Sequence, residues 1–289
     1  MKPLLDLNCP DAPPGASPSS EHIVNLFALI DGAASCAIAD GECDPSIQPV
    51  LHRAGPIAAL IGMVPVADYC GADAARRLGD LAWLAPRTTH HAAVLCRAMQ
   101  YSPVYPAPFG TLFTSLESLT EFMLAHAEAL GVFFRAVAGM AEWELKASAR
   151  LDDRSALEAV ARETWPDWPQ LAPGTRHLRI SRDRPGLVAI RRDFSQDMAA
   201  RLARRLLPPA SSLRERVVQP GSQADGGELV GRFALLVPLD GAEALAQQVQ
   251  SLAGEAADEG IALALSGPWP PFSFRPDLPR SSSPLATAE

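Results

Sequence analysis

Three prolines fall within six positions of one segment, Ser102-Pro103-Val104-Tyr105-Pro106-Ala107-Pro108-Phe109-Gly110-Thr111. Each fixes φ at about −65° and removes a backbone donor, so the segment can be neither a helix nor an interior strand. An edge strand is the one regular structure left to it. Its neighbours supply candidates for the rest of a sheet. Ile23 to Ile30 is an apolar run ending at Asp31-Gly32, and Ile57 to Val64 is a second, entered at Gly55-Pro56 and left at Pro65. Their length and turn-bounded ends read as buried strands. Asp73 to Leu84 reads as a helix that Pro86 ends or breaks, and Thr88 or Thr89 caps another, His90 to Met99. Ser115 or Ser118 starts a further helix, with Glu121 at capping-box distance from Ser118 and Gly139 at its end.

The pattern changes after Gly139. Glu142-Trp143-Glu144-Leu145-Lys146-Ala147 alternates as a strand does. Leu151 to Pro173 is polar and is punctuated by Trp165-Pro166-Asp167-Trp168-Pro169. A helix at Asp193 to Leu207 follows, then strands at Leu213 to Val218 and Leu229 to Leu239. A helix opened by Asp240 or Gly241 runs to Asp258, and a last strand covers Ile261 to Leu265. This β-α-β-β-α-β order predicts a ferredoxin-like antiparallel sheet with helices on one face and Leu229 to Leu239 central. The expected fold class is α+β. A disordered leader (1–20) precedes an N-terminal α+β domain (21–139), a ferredoxin-like domain (140–266) and an extended Pro/Ser-rich tail (267–289).

Hydrophobic residues make up 48% of the 289, enough for a sizeable core. There is no long uncharged apolar run to cross a membrane, and Met1 to Ser20 lacks the apolar centre of a secretion signal. The net charge of −8 argues against general nucleic-acid binding. Five cysteines, at 9, 36, 43, 70 and 96, form no Cys-x-x-Cys pair, so reduced thiols are expected rather than a disulfide framework or a zinc ribbon. Arg176 to Arg216 holds eleven arginines against Asp183, Asp193, Asp197 and Glu215. Such a stretch meets an acidic partner, with Arg201, Arg204 and Arg205 as candidate contacts, or it is a solvated helix face with local ion pairs.

No phosphate loop, Gly-x-Gly-x-x-Gly, His-Glu-x-x-His or Gly-x-Ser-x-Gly occurs. Lys146 and Lys2 are the only lysines, and Lys146 reads as outward and ion-paired. His90 and His91 diverge by about 100° on a helix and cannot readily clasp one metal. No catalytic residue, cofactor or metal site is therefore assigned.

Leu265-Ser266-Gly267-Pro268-Trp269-Pro270-Pro271-Phe272-Ser273-Phe274 resembles the Gly-Pro-Trp-Pro-Pro-Tyr/Phe-Ser-Phe hallmark of the gas vesicle GvpF/GvpL family. Three more stretches agree in order. His91 to Met99 with Pro103 to Phe113 resembles the family's His, short helix and Pro-rich segment before Phe-Gly-Thr. Glu142 to Lys146 resembles its Glu-Trp-x-x-Lys strand, and Gly231 to Val237 its Asn-Ala-Ala-Tyr-Leu-Val strand. Pro108 stands where many members have Arg, and Arg232-Phe233-Ala234-Leu235 replaces Asn-Ala-Ala-Tyr.

The resemblance implies a cytoplasmic, vesicle-associated assembly factor that is not an enzyme. Its partners would be the hydrophobic major shell protein and other accessory proteins, with no nucleic acid and no membrane. The matching residues Phe109, Gly110, Thr111, Trp143, Lys146, Gly267, Pro268, Trp269, Pro270, Pro271, Phe272 and Phe274 are the interaction candidates. Physically, the proline-framed aromatics of the tail either clamp across the two domains or anchor a partner, and the clamp, with Trp269 buried, is the favoured expectation. The competing classes are a small-molecule enzyme on the ferredoxin-like domain and a regulatory nucleic-acid module using the Arg-rich segment.

Overall fold

The computed structural model describes residues 22–34, 48–70 and 73–279. The expected leader and the end of the tail lie outside them. The fold is α+β. The chain packs as two compact units, Met1–Gly139 with Trp269–Glu289, and Met140–Pro268.

The first unit is built on β1 (His22–Asp31), β2 (Val50–Ala54), β3 (Ile57–Pro65), β4 (Val104–Pro106) and β5 (Leu112–Phe113). Strand order is β2-β3-β1-β4, with β5 also paired to β1. The Pro-rich segment thus forms the edge strand that its prolines require. Every residue from Ile23 to Ile30 is buried, so both faces of β1 are covered. Short helices α1 (Val66–Tyr69) and α2 (Ala74–Leu78) lead into α3 (Leu81–Ala98), which packs Val94, Leu95 and Ala98 on Phe27, Ile30 and Leu60. Helices α4 (Leu116–Ala125) and α5 (Ala127–Val137) pack against β2 and against β1 and β4 respectively.

Two helix boundaries differ from the sequence reading. Asp80 does not sit inside a helix; its carboxylate accepts from the Ala82 N–H at 3.0 Å and caps α3. The helix then continues through Pro86, which forfeits only the bond to the Ala82 carbonyl. The Arg87 guanidinium donates to the Trp83 carbonyl and the Thr88 hydroxyl to that of Leu84, supporting the same turn. The α4 capping box pairs Ser115 with Ser118, not Ser118 with Glu121. Gly139, at φ +69°, ends the last helix of this unit as expected. Cys70 is disulfide-bonded, which corrects the expectation of reduced thiols throughout; Cys96 is free.

The second unit contains β6 (Met140–Ala149), α6 (Arg154–Thr164), α7 (Pro173–Arg204), β7 (Ser212–Glu215), β8 (Gln223–Ala224), β9 (Gly227–Pro238), α8 (Ala242–Asp258) and β10 (Ile261–Trp269). Its sheet order is β10-β6-β9-β7, with β8 paired to β9. β9 is interior, and β6 and β7 both run antiparallel to it. Leu145, Ala147, Phe233, Leu235 and Val237 meet Ala199, Leu202, Leu245, Val249 and Leu252, so α7 and α8 cover one face.

The polar stretch Leu151 to Pro173 forms α6 and leads into a 32-residue α7, which begins twenty residues before the expected helix start at Asp193. Asp153 caps α6 by accepting from the Ser155 and Ala156 N–H groups. Leu157, Val160 and Ala161 of α6 pack on Ile180 and Leu187 of α7 and on Trp168. This satellite core lets α7 continue past Pro185 despite the lost bond. No helix among the described residues is long and apolar enough to cross a membrane.

His91 gives the first unit a measurable pH dependence. It is buried on α3, with its ring 5.4 Å from that of Phe27 and 5.7 Å from that of Phe109. Its Nε2–H donates to the Ala107 carbonyl at 3.0 Å. Burial lowers its pKa to about 4, the His90 charge adding to the fall and the Ala107 bond opposing it. The unfolded chain takes up this proton first as pH falls, so the contribution of neutral His91 is whole above about pH 6.5 and erodes down to about pH 4. Urea unfolding of wild type should lose up to about 3 kcal/mol more between pH 7 and 4 than that of His91→Gln. Equal pH dependence of the two would contradict this.

Candidate interaction site

The matching stretches pack on one another within each unit. In the first, Pro108 to Thr111 form a tight turn in which the Thr111 N–H and hydroxyl both donate to the Pro108 carbonyl, at 3.2 and 2.7 Å. Gly110 sits at φ +78°, where a side chain would be strained. The Leu26 N–H then bonds to the Thr111 carbonyl at 2.8 Å, fastening the turn to β1. Phe109 is half-buried between the rings of Tyr69 and His91. These residues hold the edge of the sheet in place and present little surface.

The tail belongs to the same unit from Trp269 onward and lies along β4. The Arg275 guanidinium donates to the Pro106 carbonyl at 2.8 Å and stacks over Tyr105 and Phe272. The Tyr105 hydroxyl reaches the Pro276 carbonyl at 3.4 Å, and the His126 Nε2–H donates to that of Pro279 at 3.0 Å. Sequence reasoning missed Tyr105, His126 and Arg275 because their roles arise from contacts across more than 150 residues. Pro270, Pro271 and Phe274 are buried. Trp269 is 45% exposed and Phe272 37%. The expectation of a buried Trp269 is therefore corrected: it ends an edge strand, and the prolines beside it take the buried positions.

In the second unit Trp143 is the joint. It faces the helix-covered side of β6 and packs on that core. Gly267 of β10 lies so close that a Cβ there would come within 2.8 Å of the indole Cδ2 and 3.1 Å of the Glu142 carbonyl. Gly267 also has φ +150°. Two of the four matching stretches thus require each other sterically. Pro268 follows it, exposed.

Lys146 is outward and ion-paired as expected, 3.4 Å from Glu144. Glu144 also accepts from Arg232 and lies 3.7 Å from Arg216. Burial alone would raise the Glu144 pKa; the Arg232 hydrogen bond and charge outweigh it and hold the carboxyl below its ordinary range.

Most arginines of the Arg-rich stretch are engaged within the chain. Arg179 chelates Asp167 and stacks on Trp165, Arg184 pairs with Asp152, Arg192 with Glu228 and Arg205 with Glu255 of α8. Arg201 donates to the Met198 sulfur, and among the described residues neither Arg201 nor Arg204 is in an ion pair. The stretch is thus not one electropositive face.

An open cleft of about 860 Å³ lies between α6, α7, α8 and the start of β10. Of its titratable lining, Asp153 caps α6 and Arg191 donates to the Glu259 carbonyl; Arg150, Asp258 and Glu259 line it as well. Among the described residues no group of three or more His, Cys, Asp or Glu is placed to hold a metal ion.

The family model described as gas vesicle synthesis protein GvpL/GvpF matches residues 25–276. The chain belongs to that family. It is 24% identical over 207 residues to gas vesicle protein L1 of Halobacterium salinarum, covering 68% of this chain and 71% of that one. It is 29% identical over 236 residues to gas vesicle protein L of a Streptomyces species, covering 78% and 82%. Crystal structures of gas vesicle protein GvpF superpose on it. The Anabaena protein gives a TM-score of 0.63 at 16% identity over 89% of this chain and 97% of that one. The Microcystis aeruginosa protein gives 0.61 at 17% over 87% and 98%. At such identities these two establish the α+β fold.

The Gly267–Trp143 joint yields a stability test. Gly267→Ala should destabilise by about 2–4 kcal/mol, combining backbone strain with overpacking. Gly254→Ala, in open space on α8, should be neutral or slightly stabilising. Urea unfolding of both variants checks this; a Gly267→Ala protein within about 0.5 kcal/mol of wild type would contradict the close packing.

Proposed function

We propose that this gas vesicle protein binds the hydrophobic shell protein and assists nucleation or assembly of the vesicle. It acts in the cytoplasm by binding, alongside other gas vesicle accessory proteins, and turns over no substrate. The observation that carries the reading is the exposure of Trp269 and Phe272 on a segment stiffened by Pro268, Pro270 and Pro271 and pinned by Arg275. Shell monomers expose apolar surface before assembly and would otherwise aggregate. Rigid aromatic anchors gain affinity because little side-chain and backbone freedom is lost on binding.

Capture of tagged shell protein tests the reading. Apolar contact is hardly screened, so wild type should retain most binding at about 0.5 M salt. A Trp269→Ala/Phe272→Ala variant should lose at least about tenfold in affinity while keeping its unfolding midpoint close to wild type, since both rings are substantially exposed. Unchanged capture by the double variant, or complete loss of wild-type binding at high salt, would overturn the proposal.

A further inference from the structure

We propose that the face of the second sheet opposite α7 and α8 is a docking surface for an acidic segment of a protein partner. The surface follows from strand register. Lys146 of β6 stands directly opposite Arg232 of β9. On the other side of β9, the Arg216 N–H bonds to the Arg232 carbonyl at 2.8 Å, so Arg216 continues the same row beyond β7. Three cations therefore line up across adjacent strands, over a span of about 10 Å. In the next row Glu144 and Arg214 flank Ala234, whose small side chain leaves the carboxylate room to lean towards the cations.

Like charges placed directly opposite on a sheet repel and destabilise it. Among the described residues of these two rows, Glu144 is the one carboxylate set among them. Its side chain is 14% exposed, against 43% for Lys146, 41% for Arg216 and 30% for Arg232. One carboxylate offsets part of this charge, and Glu142, the next on this face, is buried one row further on. The cationic ends project while the anion lies beneath them. In a chain of net charge −8, this is a local reversal of sign. It attracts carboxylates through charge-assisted hydrogen bonds, and an incoming acidic segment would relieve the repulsion along the row.

A nucleic acid is the less suitable polyanion. Glu142, Ala234, Leu236 and Ser212 share the face, and none offers a ring on which a base could stack. The inference is independent of the shell-binding reading, which rests on Trp269 and Phe272.

The test is fluorescence anisotropy with two probes: a labelled peptide of alternating Asp and Ser, and a labelled single-stranded oligothymidine of equal charge. The peptide should bind at low salt and weaken as ionic strength rises. Lys146→Gln/Arg216→Gln should lower its affinity by about tenfold. Arg201→Gln/Arg204→Gln, on the helix-covered side, should leave it unchanged. The single changes Lys146→Gln and Arg216→Gln, at half-exposed positions, provide folded alternatives if the double variant melts early. Equal peptide binding by wild type and the Lys146/Arg216 variants, loss in the Arg201/Arg204 variant instead, or tighter binding of the oligonucleotide through Lys146 and Arg216 would overturn the proposal. Loss of shell-protein capture by the Trp269/Phe272 variant leaves it intact, so the two readings fail separately.

Discussion

The contact of the Gly267 backbone with the Trp143 indole governs how the second unit ends. Among the described residues β10 is an edge strand, paired with β6. With no side chain at Gly267, the strand closes onto the indole, and the Glu142 carbonyl sits at the same short range. Any larger residue would lift this end of the strand and unseat Trp143 from the core it shares with α7 and α8. Beyond this end Pro270 and Pro271 are buried and Trp269 and Phe272 are left in solvent.

Charge is handled differently in different parts of the chain. Along α6 and α7 arginines serve local cohesion, clasping Asp152, Asp167 and Glu228 and stacking on Trp165 and Trp168. Exposed pairs of this kind are individually worth about 1 kcal/mol or less, but their stacked geometry also covers apolar rings. Around Glu144 the balance is reversed, with several cations grouped about a single carboxylate. The number of arginines in a segment is therefore a poor guide to where its charge is available.

The legible parts of the fold were those where one local signal dominates. Apolar runs between turns marked β1 and β3, three prolines marked β4 as an edge, and alternation marked β6. Helix α6 and the part of α7 before Asp193 were illegible because their apolar faces meet each other, a contact distant from the main core, and because Pro185 lies within that part of α7. Only tertiary support from Ile180 and Leu187 against α6 carries the helix past it. At the site, Gly267, Trp143 and Phe109 were recognisable as residue types that demand a particular environment. The exposure of Trp269 was not, since a large aromatic beside prolines suits a buried clamp and a displayed anchor equally well. Nor could Tyr105, His126 and Arg275 be found, because nothing in their local sequence marks them as holding a tail far away in the chain.

On the reading we propose, this gas vesicle protein displays apolar anchors that its fold has already ordered. Amide hydrogen exchange, with and without purified shell protein, tests it most directly. The account predicts slowed exchange at Trp269 and from Phe272 to Arg275 on addition of shell protein, with the interior of β9 unchanged. Protection confined to other elements, or no protection at shell-protein concentrations that give capture, would contradict it.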